Sequence, residues 1–570
     1  MKFSEMPYTR PDIDAVRAGL GEIAAALESS SSAQAQFDAV ERLNETEGHV
    51  GTLAQLAYIR HSIDTRDAFY DAENDFIDEH MPLLEEDIQR VNRALLASPF
   101  RGELEQKYGK VFFLDLEIAA RSFKPEMVEE MQRENKLASE YQKLYASAVV
   151  EFDGQRLPLP KLGPYKQNPD RGVRRRAYET EAGFFDAHRE ELDRLYDELV
   201  KSRTAQGRLL GYENYIPLGY DRMGRNCYGP EKVAAFRDQI AAELVPLVAK
   251  VKAAQAKRLG LERLKFYDDA LLFPDGNPIP RGSAEDILAA GREMYHGLSA
   301  ETAEFIDYLY DNELLDVLSK DGKAPGGYCT EIYDYRAPFI FSNFNGTAGD
   351  VDVLTHEAGH AFAAYRAMKR GYPRRLMTPT MDGAETHSMS MEFLTAPYHH
   401  LFFGDATARY ELSHAEEALT FLPYGCMVDE FQHLMYEDPT LTPEQRNAVW
   451  LDLEKKYRPW TDFDGLPFYS RGALWQRQLH IYLYPLYYID YCMAQTMAFQ
   501  FWMLHRRDPK EAWARYLAFV DKGGTETFEA LSHGAGLRVP YEPGVIRAVA
   551  EEVEQALRAL YNKQMNRIDN

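Results

Sequence analysis

The string His356-Glu357-Ala358-Gly359-His360 lies in a stretch, residues 351–369, with no proline and a single glycine, and this stretch reads as a helix. Histidines four apart on a helix sit about 40° apart around the axis and roughly 6 Å apart along it. Both imidazoles therefore face one side and can hold one metal ion, with the intervening glutamate within reach of a water on that ion as a general base. No other feature constrains the chain as tightly. Zn²⁺ is the ion this H-E-x-x-H spacing fits, and a chance match on a solvated helix is the alternative.

A catalytic zinc keeps three protein ligands, so another element must supply an Asp, Glu or His. Residues 381–384, Met-Asp-Gly-Ala, read as a turn, with a new helix starting near Glu385. Glu385, Ser388 and Glu392 then share one helical face at i, i+3 and i+7. Glu385 can reach the metal, with Ser388 and Glu392 behind it, where a ligand histidine needs a partner for its other ring nitrogen. Spacing alone fits a solvated acidic face equally well, and on chemistry alone Asp352 or Asp382 could replace Glu385.

The H-E-x-G-H form, followed 25 residues after its second histidine by E-x-x-S-x-x-x-E, resembles the thimet oligopeptidase and oligoendopeptidase F family of zinc metallopeptidases. Within it the likeness is to the bacterial oligoendopeptidase F or Pz-peptidase branch. Gly326-Gly327-Tyr328 and Phe341 to Thr347 are similar to the family's strand beside the active site, and Tyr516-Leu517 through Gly523-Gly524 to its closing helix and turn. The likeness covers most of residues 150–545; the first 140 residues are similar only in being helical. The resemblance implies Zn²⁺ held by His356, His360 and Glu385, with Glu357 as general base. It also implies a mostly α, two-lobed metallopeptidase of the zincin type, with a small β-sheet beside the zinc helix and a deep channel that admits short unstructured peptides.

Residues 480–491 hold five tyrosines and a histidine. Hydrolysis of an amide builds negative charge on the carbonyl oxygen, and neutral donors aimed at that oxygen stabilise the transition state. Pro485 reads as the first turn of a helix, which would set Tyr484, Tyr488 and Tyr491 on one stripe with Tyr487 beside it. An aromatic stripe is more often core than catalytic. The resemblance implies that His480 and Tyr491 face the scissile carbonyl, with Tyr488 or Tyr484 as the second tyrosine. Asp490 and Leu486 depart from the branch's usual residues.

The rest of the chain bounds the setting. A net charge of −25 argues against nucleic acid, since no basic stretch could neutralise phosphates. The longest basic run, Arg174-Arg175-Arg176, reads as a solvated or internally paired helix face. Four cysteines at least 66 residues apart form no C-x-x-C, and no run of 18 apolar residues occurs, so a membrane span is not expected. With no apolar signal region near Met1, these features lead to the expectation of a cytoplasmic protein. Helical periodicity dominates, with breaks or kinks expected at Pro82 and Pro246. Asp153-Gly154 marks a hairpin across residues 149–159, and residues 328–333 can pair with residues 339–344. The expected division is an N-terminal helical lobe over residues 1–200 and a catalytic lobe over residues 201–570. Two other readings stay open: a zinc carboxypeptidase on a similar helical fold, and a non-catalytic peptide-binding protein with a vestigial metal site. The sequence specifies no oligomeric state.

Overall fold

A computed structural model of the chain describes residues 1–568. Long helices dominate, and several start where the sequence offers a cap. Ser32 accepts from Ala35 N at the head of helix Ala33–Ile63, and Asp67 accepts from Phe69 N and Tyr70 N at the head of helix Ala68–Leu96. Those oxygens satisfy amide donors that the first helical turn leaves free.

Pro82 does not break its helix, which runs through it to Leu96. A proline withholds the hydrogen bond owed to the carbonyl four residues back. That carbonyl, Asp78 O, accepts instead from Asn135 Nδ2 at 3.2 Å on helix Val128–Ala146. Around Pro246 the chain does change geometry, through a wide π turn over Ile240–Leu244 between helices Pro230–Gln239 and Val245–Arg258. Pro246 is the second residue of the resumed helix and, having no N–H to give to the turn before it, sits where the regular ladder is already interrupted.

Strands β1 (Val149–Phe152) and β2 (Gln155–Pro158) form the expected hairpin. Asp153 and Gly154 both take positive φ, 47° and 78°, as a two-residue turn of this twist requires. A second sheet holds β3 (Leu315–Leu318), β4 (Tyr328–Ile332) and β5 (Ala337–Phe344) in the order β3-β5-β4. β4 and β5 pair antiparallel, with Tyr328 opposite Phe341 and Ile332 opposite Ala337. β3, parallel to β5, has no counterpart in the sequence reading. It leaves β4 as an edge strand.

Residue 200, the approximate lobe boundary expected from sequence, lies inside helix Arg189–Leu209, and residues on both sides of it share the main apolar core. Arg203 in that helix is fully buried; it donates to Glu134 Oε1 at 2.7 Å and to the carbonyl of Tyr482 at 2.5 Å. The Tyr141 ring stacks on Tyr482, centroids 3.9 Å apart. The N-terminal helices thus fix the start of the tyrosine-rich segment. The basic run is internally paired: buried Arg174 binds Asp268 at 2.7 Å, while Arg175 and Arg176 face Glu179 and Asp153.

Candidate active site

Helix Gly349–Arg370 carries the H-E-x-x-H string and ends at Gly371, whose φ of 73° suits the left-handed C-terminal position. Helix Met381–Leu394 crosses it closely. A Cβ on Gly359 would lie 2.5 Å from Ser388 Cα and 2.8 Å from the His387 carbonyl oxygen, so only glycine permits the crossing. The second helix starts at Met381, four residues before the expected start, and residues 381–384 are its first turn, not a loop. Asp382 drives this, taking the Gly383 amide at 2.7 Å and the Thr380 hydroxyl on its own carboxylate. The helix is also not a solvated acidic face, since Glu385 and Ser388 are buried.

The crossing brings three side chains together. Glu385 Oε2 lies 3.2 Å from His356 Nε2 and 3.2 Å from His360 Nε2. One ligand atom from each of the three residues falls within 4.8 Å of the others. Donors about 2.0–2.1 Å from a tetrahedral zinc are spaced roughly 3.3 Å apart, so the set fits that ion in spacing and in donor type. Asp352 and Asp382 take no part: Asp352 accepts from Tyr410 Oη at 2.5 Å and Asp382 from Tyr228 Oη at 2.7 Å.

Glu392 sits behind these three side chains, 2.7 Å from His356 Nδ1 and 2.9 Å from His414 Nε2. It orients the ring so that Nε2 faces Glu385. Ser388 Oγ donates to Glu385 Oε2 at 3.1 Å, and Tyr487 Oη donates to Glu385 Oε1. Burial alone would hold His356 below its usual range, but the two carboxylates outweigh it and raise the imidazole well above 6.5. Burial raises the Glu385 carboxyl while His360 and His356 pull it down, for a net pKa well below the usual carboxylate range.

Glu357 faces the same cavity as the two histidines and Glu385. It is 7% exposed and its buried Oε2 has no hydrogen-bond partner. Burial raises its pKa, opposed by the two histidines. A Cβ on Gly327 would come within 3.5 Å of Glu357 Oε1, so β4's approach brings bare backbone against the carboxylate.

His356, Glu357, His360 and Glu385 line a cavity of about 610 Å³. The β4 edge forms one wall, and Tyr58 and Tyr145 from the N-terminal helices another. His480, Tyr484, Tyr487 and Tyr491 form a third. His480 Nε2 lies 3.3 Å from Tyr491 Oη, and its Nδ1 lies 3.0 Å from Gln478 Nε2, itself held by Tyr424. Burial pushes the His480 imidazole down to about 4, so it is neutral near pH 7. Burial likewise raises the phenols of Tyr487 and Tyr491 well above 10, leaving both protonated as donors.

Tyr488 is the exception among the sequence candidates. It does not line the cavity; it is buried beside Phe421 and Tyr424, its ring in an edge contact with His480, centroids 4.9 Å apart. The expected stripe assumed a helix from Pro485. Instead Leu486 takes a φ of 65° and the helix begins at Ile489, which turns Tyr487 inward and Tyr488 away. His414 and Gln478 were not singled out from sequence. Their histidine and amide types carry no local signal, since the partners they hold lie elsewhere in the chain.

Among the described residues no helix is long and apolar enough to cross a membrane. The sequence matches the peptidase M3 N-terminal domain over residues 3–123 and peptidase family M3 over residues 164–273 and 286–551. Oligopeptidase PepF of Bacillus subtilis (strain 168) is 25% identical over 402 residues, 69% of this chain and 58% of that protein. The chain spans about half the length of the curated relatives it matches. The solved structure of PZ peptidase A with inhibitor 2 is similar at a TM-score of 0.97 and 46% identity, over 98% of this chain and 99% of that one. Oligoendopeptidase-F from Enterococcus faecium, at a TM-score of 0.60 and 16% identity over 97% and 99% of the two chains, shares the fold. With the family match running through both crossing helices and the tyrosine-rich wall, the chain belongs to peptidase family M3.

Proposed function

We propose that the chain is a zinc-dependent oligoendopeptidase that hydrolyses internal bonds of short, unstructured peptides. The observation that carries this is the convergence of His356, His360 and Glu385 beside a buried, unpartnered Glu357 oxygen in a walled cavity. Bound there, Zn²⁺ would act as a Lewis acid on the peptide carbonyl and make a water more acidic. Glu357 takes the proton of the attacking water at its free oxygen and returns a proton to the leaving amine. His480 and Tyr491, both neutral donors, stabilise the charge growing on the former carbonyl oxygen. Tyr487 is engaged with Glu385 and holds that carboxylate in orientation. The β4 edge can take a peptide by backbone hydrogen bonds, with little demand on its side chains. Four free cysteines support a reducing setting, the cytoplasm.

A carboxypeptidase would need a cation for the substrate's terminal carboxylate, and Arg374 lines the cavity with no ion pair among the described residues. Peptides acetylated at one end and amidated at the other decide between the two. The chain should cleave them internally, lose that activity to a chelator and regain it with Zn²⁺. Cleavage confined to peptides with a free carboxylate would instead establish the exopeptidase.

The tyrosine wall gives a sharper test. Tyr491→Phe should lower kcat by roughly 10–10³-fold with KM and thermal stability nearly unchanged, as loss of a transition-state donor does. Tyr488→Phe, which removes a hydroxyl outside the cavity, should leave kcat within about twofold and act on stability by about 1 kcal/mol. The reverse pattern would return Tyr491 to the core.

A further inference from the structure

A second cavity of about 470 Å³ adjoins the first, sharing Thr378, Pro379, Met381, Tyr484 and Tyr487 as a common wall. Its far side comes from Asp115 on helix Lys110–Arg121 and from Asn226. A peptide lying over the metal ligands is thus separated from it only by those shared side chains.

The charges around this space are unbalanced. Arg222 lines it, but its guanidinium binds Glu134 at 3.1 Å, and Glu526 lies 3.7 Å from Lys522. Asp115 has no ion pair among the described residues; its hydrogen bond comes from Asn226 Nδ2 at 3.3 Å. Asn226 keeps a buried Oδ1 with no partner. The cation that acts on Asp115 from a distance, Arg375, is bound to Glu47 at 3.0 Å and to Asn92 at 2.7 Å. Burial pushes the Asp115 carboxyl up to about 6, against the weaker pull of Asn226 and Arg375. A half-buried carboxylate in this condition gains from an arriving cation, and its two oxygens suit an N–H-rich group.

We propose that this cavity is a subsite of the substrate channel that takes a cationic group of the peptide, an α-ammonium or a lysine or arginine side chain, on Asp115 with Asn226 beside it. The proposal rests on the peptidase reading above. Neither residue touches the metal ligands, so the subsite selects substrate without entering the chemistry.

The test uses the whole zinc-loaded chain and one peptide core in matched versions. One pair has a free or an acetylated amino terminus; a second series is acetylated and carries lysine or norleucine at each position in turn. Both kcat/KM and binding, by fluorescence anisotropy, are measured. A cationic version, free amino terminus or lysine at one position, should be preferred over its neutral partner by about 5- to 10-fold, the scale of a partly buried charged hydrogen bond. Which version wins identifies the source of the cation. Asp115→Asn should bring that preference to within about twofold and leave the neutral peptide unchanged, while Asp115→Glu retains it. Equal treatment of cationic and neutral peptides by the wild type, or an intact preference in Asp115→Asn, would overturn the subsite. Absence of cleavage for every peptide would count against the peptidase reading alone, because binding still decides the subsite.

Discussion

Glu357→Gln should keep its metal and lose its turnover, with kcat falling by roughly 10²–10⁴-fold or more. Glutamine keeps the shape of the side chain and its hydrogen-bonding capacity but accepts no proton near neutral pH. The residue is not among the three that can hold the ion, so metal content should not change. Stability adds a second readout. The Glu357 pKa is raised in the folded chain by burial, so the ionised form is disfavoured there relative to the unfolded chain. A carboxylate with a raised folded pKa detracts from stability above its unfolded pKa, and an amide removes that penalty. The metal-free variant should therefore unfold at neutral pH no earlier than the metal-free wild type. Metal analysis, kcat and thermal unfolding on the same preparations check all three statements. Full turnover in a metal-loaded variant would refute the role of general base.

The parts of the site that could be read in the sequence are those whose geometry is local. His356, Glu357 and His360 lie within one and a half turns of helix, and Glu385, Ser388 and Glu392 lie on one face of another, so periodicity alone brings each set together. The hairpin at Asp153-Gly154 was legible for the same reason: two residues determine the turn. Periodicity failed where the chain leaves its regular path. At Leu486 one positive φ reverses which of Tyr487 and Tyr488 faces the cavity. Helix Met381–Leu394 misled in another way. Its glycine and its many polar residues suggest a turn and a wet surface, yet Glu385, Thr386, His387, Ser388 and Ser390 are all buried. They are buried because partners arrive from far along the chain, such as Tyr516 Oη on the His387 carbonyl at 2.8 Å. The N-terminal wall was the least legible. Tyr58, Asp115 and Tyr145 reach the two cavities from amphipathic helices whose sequences advertise only their apolar faces.

Glu385→Ala should release the metal, whereas Asp352→Asn and Asp382→Asn should not. Chemistry alone left all three acids open as the third ligand, the family resemblance implied Glu385, and in the structure their partners differ. Asp352 is held by Tyr410, and Asp382 by Thr380, Tyr228 and the Gly383 amide, while one oxygen of Glu385 faces both histidines. Removing an outer partner of a metal ligand lowers affinity by about 10–100-fold, and removing the ligand itself should exceed that. Without the ion, His360 and His356 hold the buried Glu385 carboxyl well below its usual range, and Glu385 and Glu392 in turn raise His356. Alanine takes away this counter-charge as well as the ligand, leaving two imidazoles, too few donors to hold the ion firmly. The decisive measurements are zinc retained after dialysis, the Kd from chelator competition and the rise in Tm on adding zinc, since an ion that binds only the folded chain stabilises it by mass action. The wild type, Asp352→Asn and Asp382→Asn should all gain Tm with zinc; Glu385→Ala should gain little and show no activity. Metal lost from Asp382→Asn but kept by Glu385→Ala would mean that the ligand set is wrong, and with it the geometry that assigns the attacking water to Glu357.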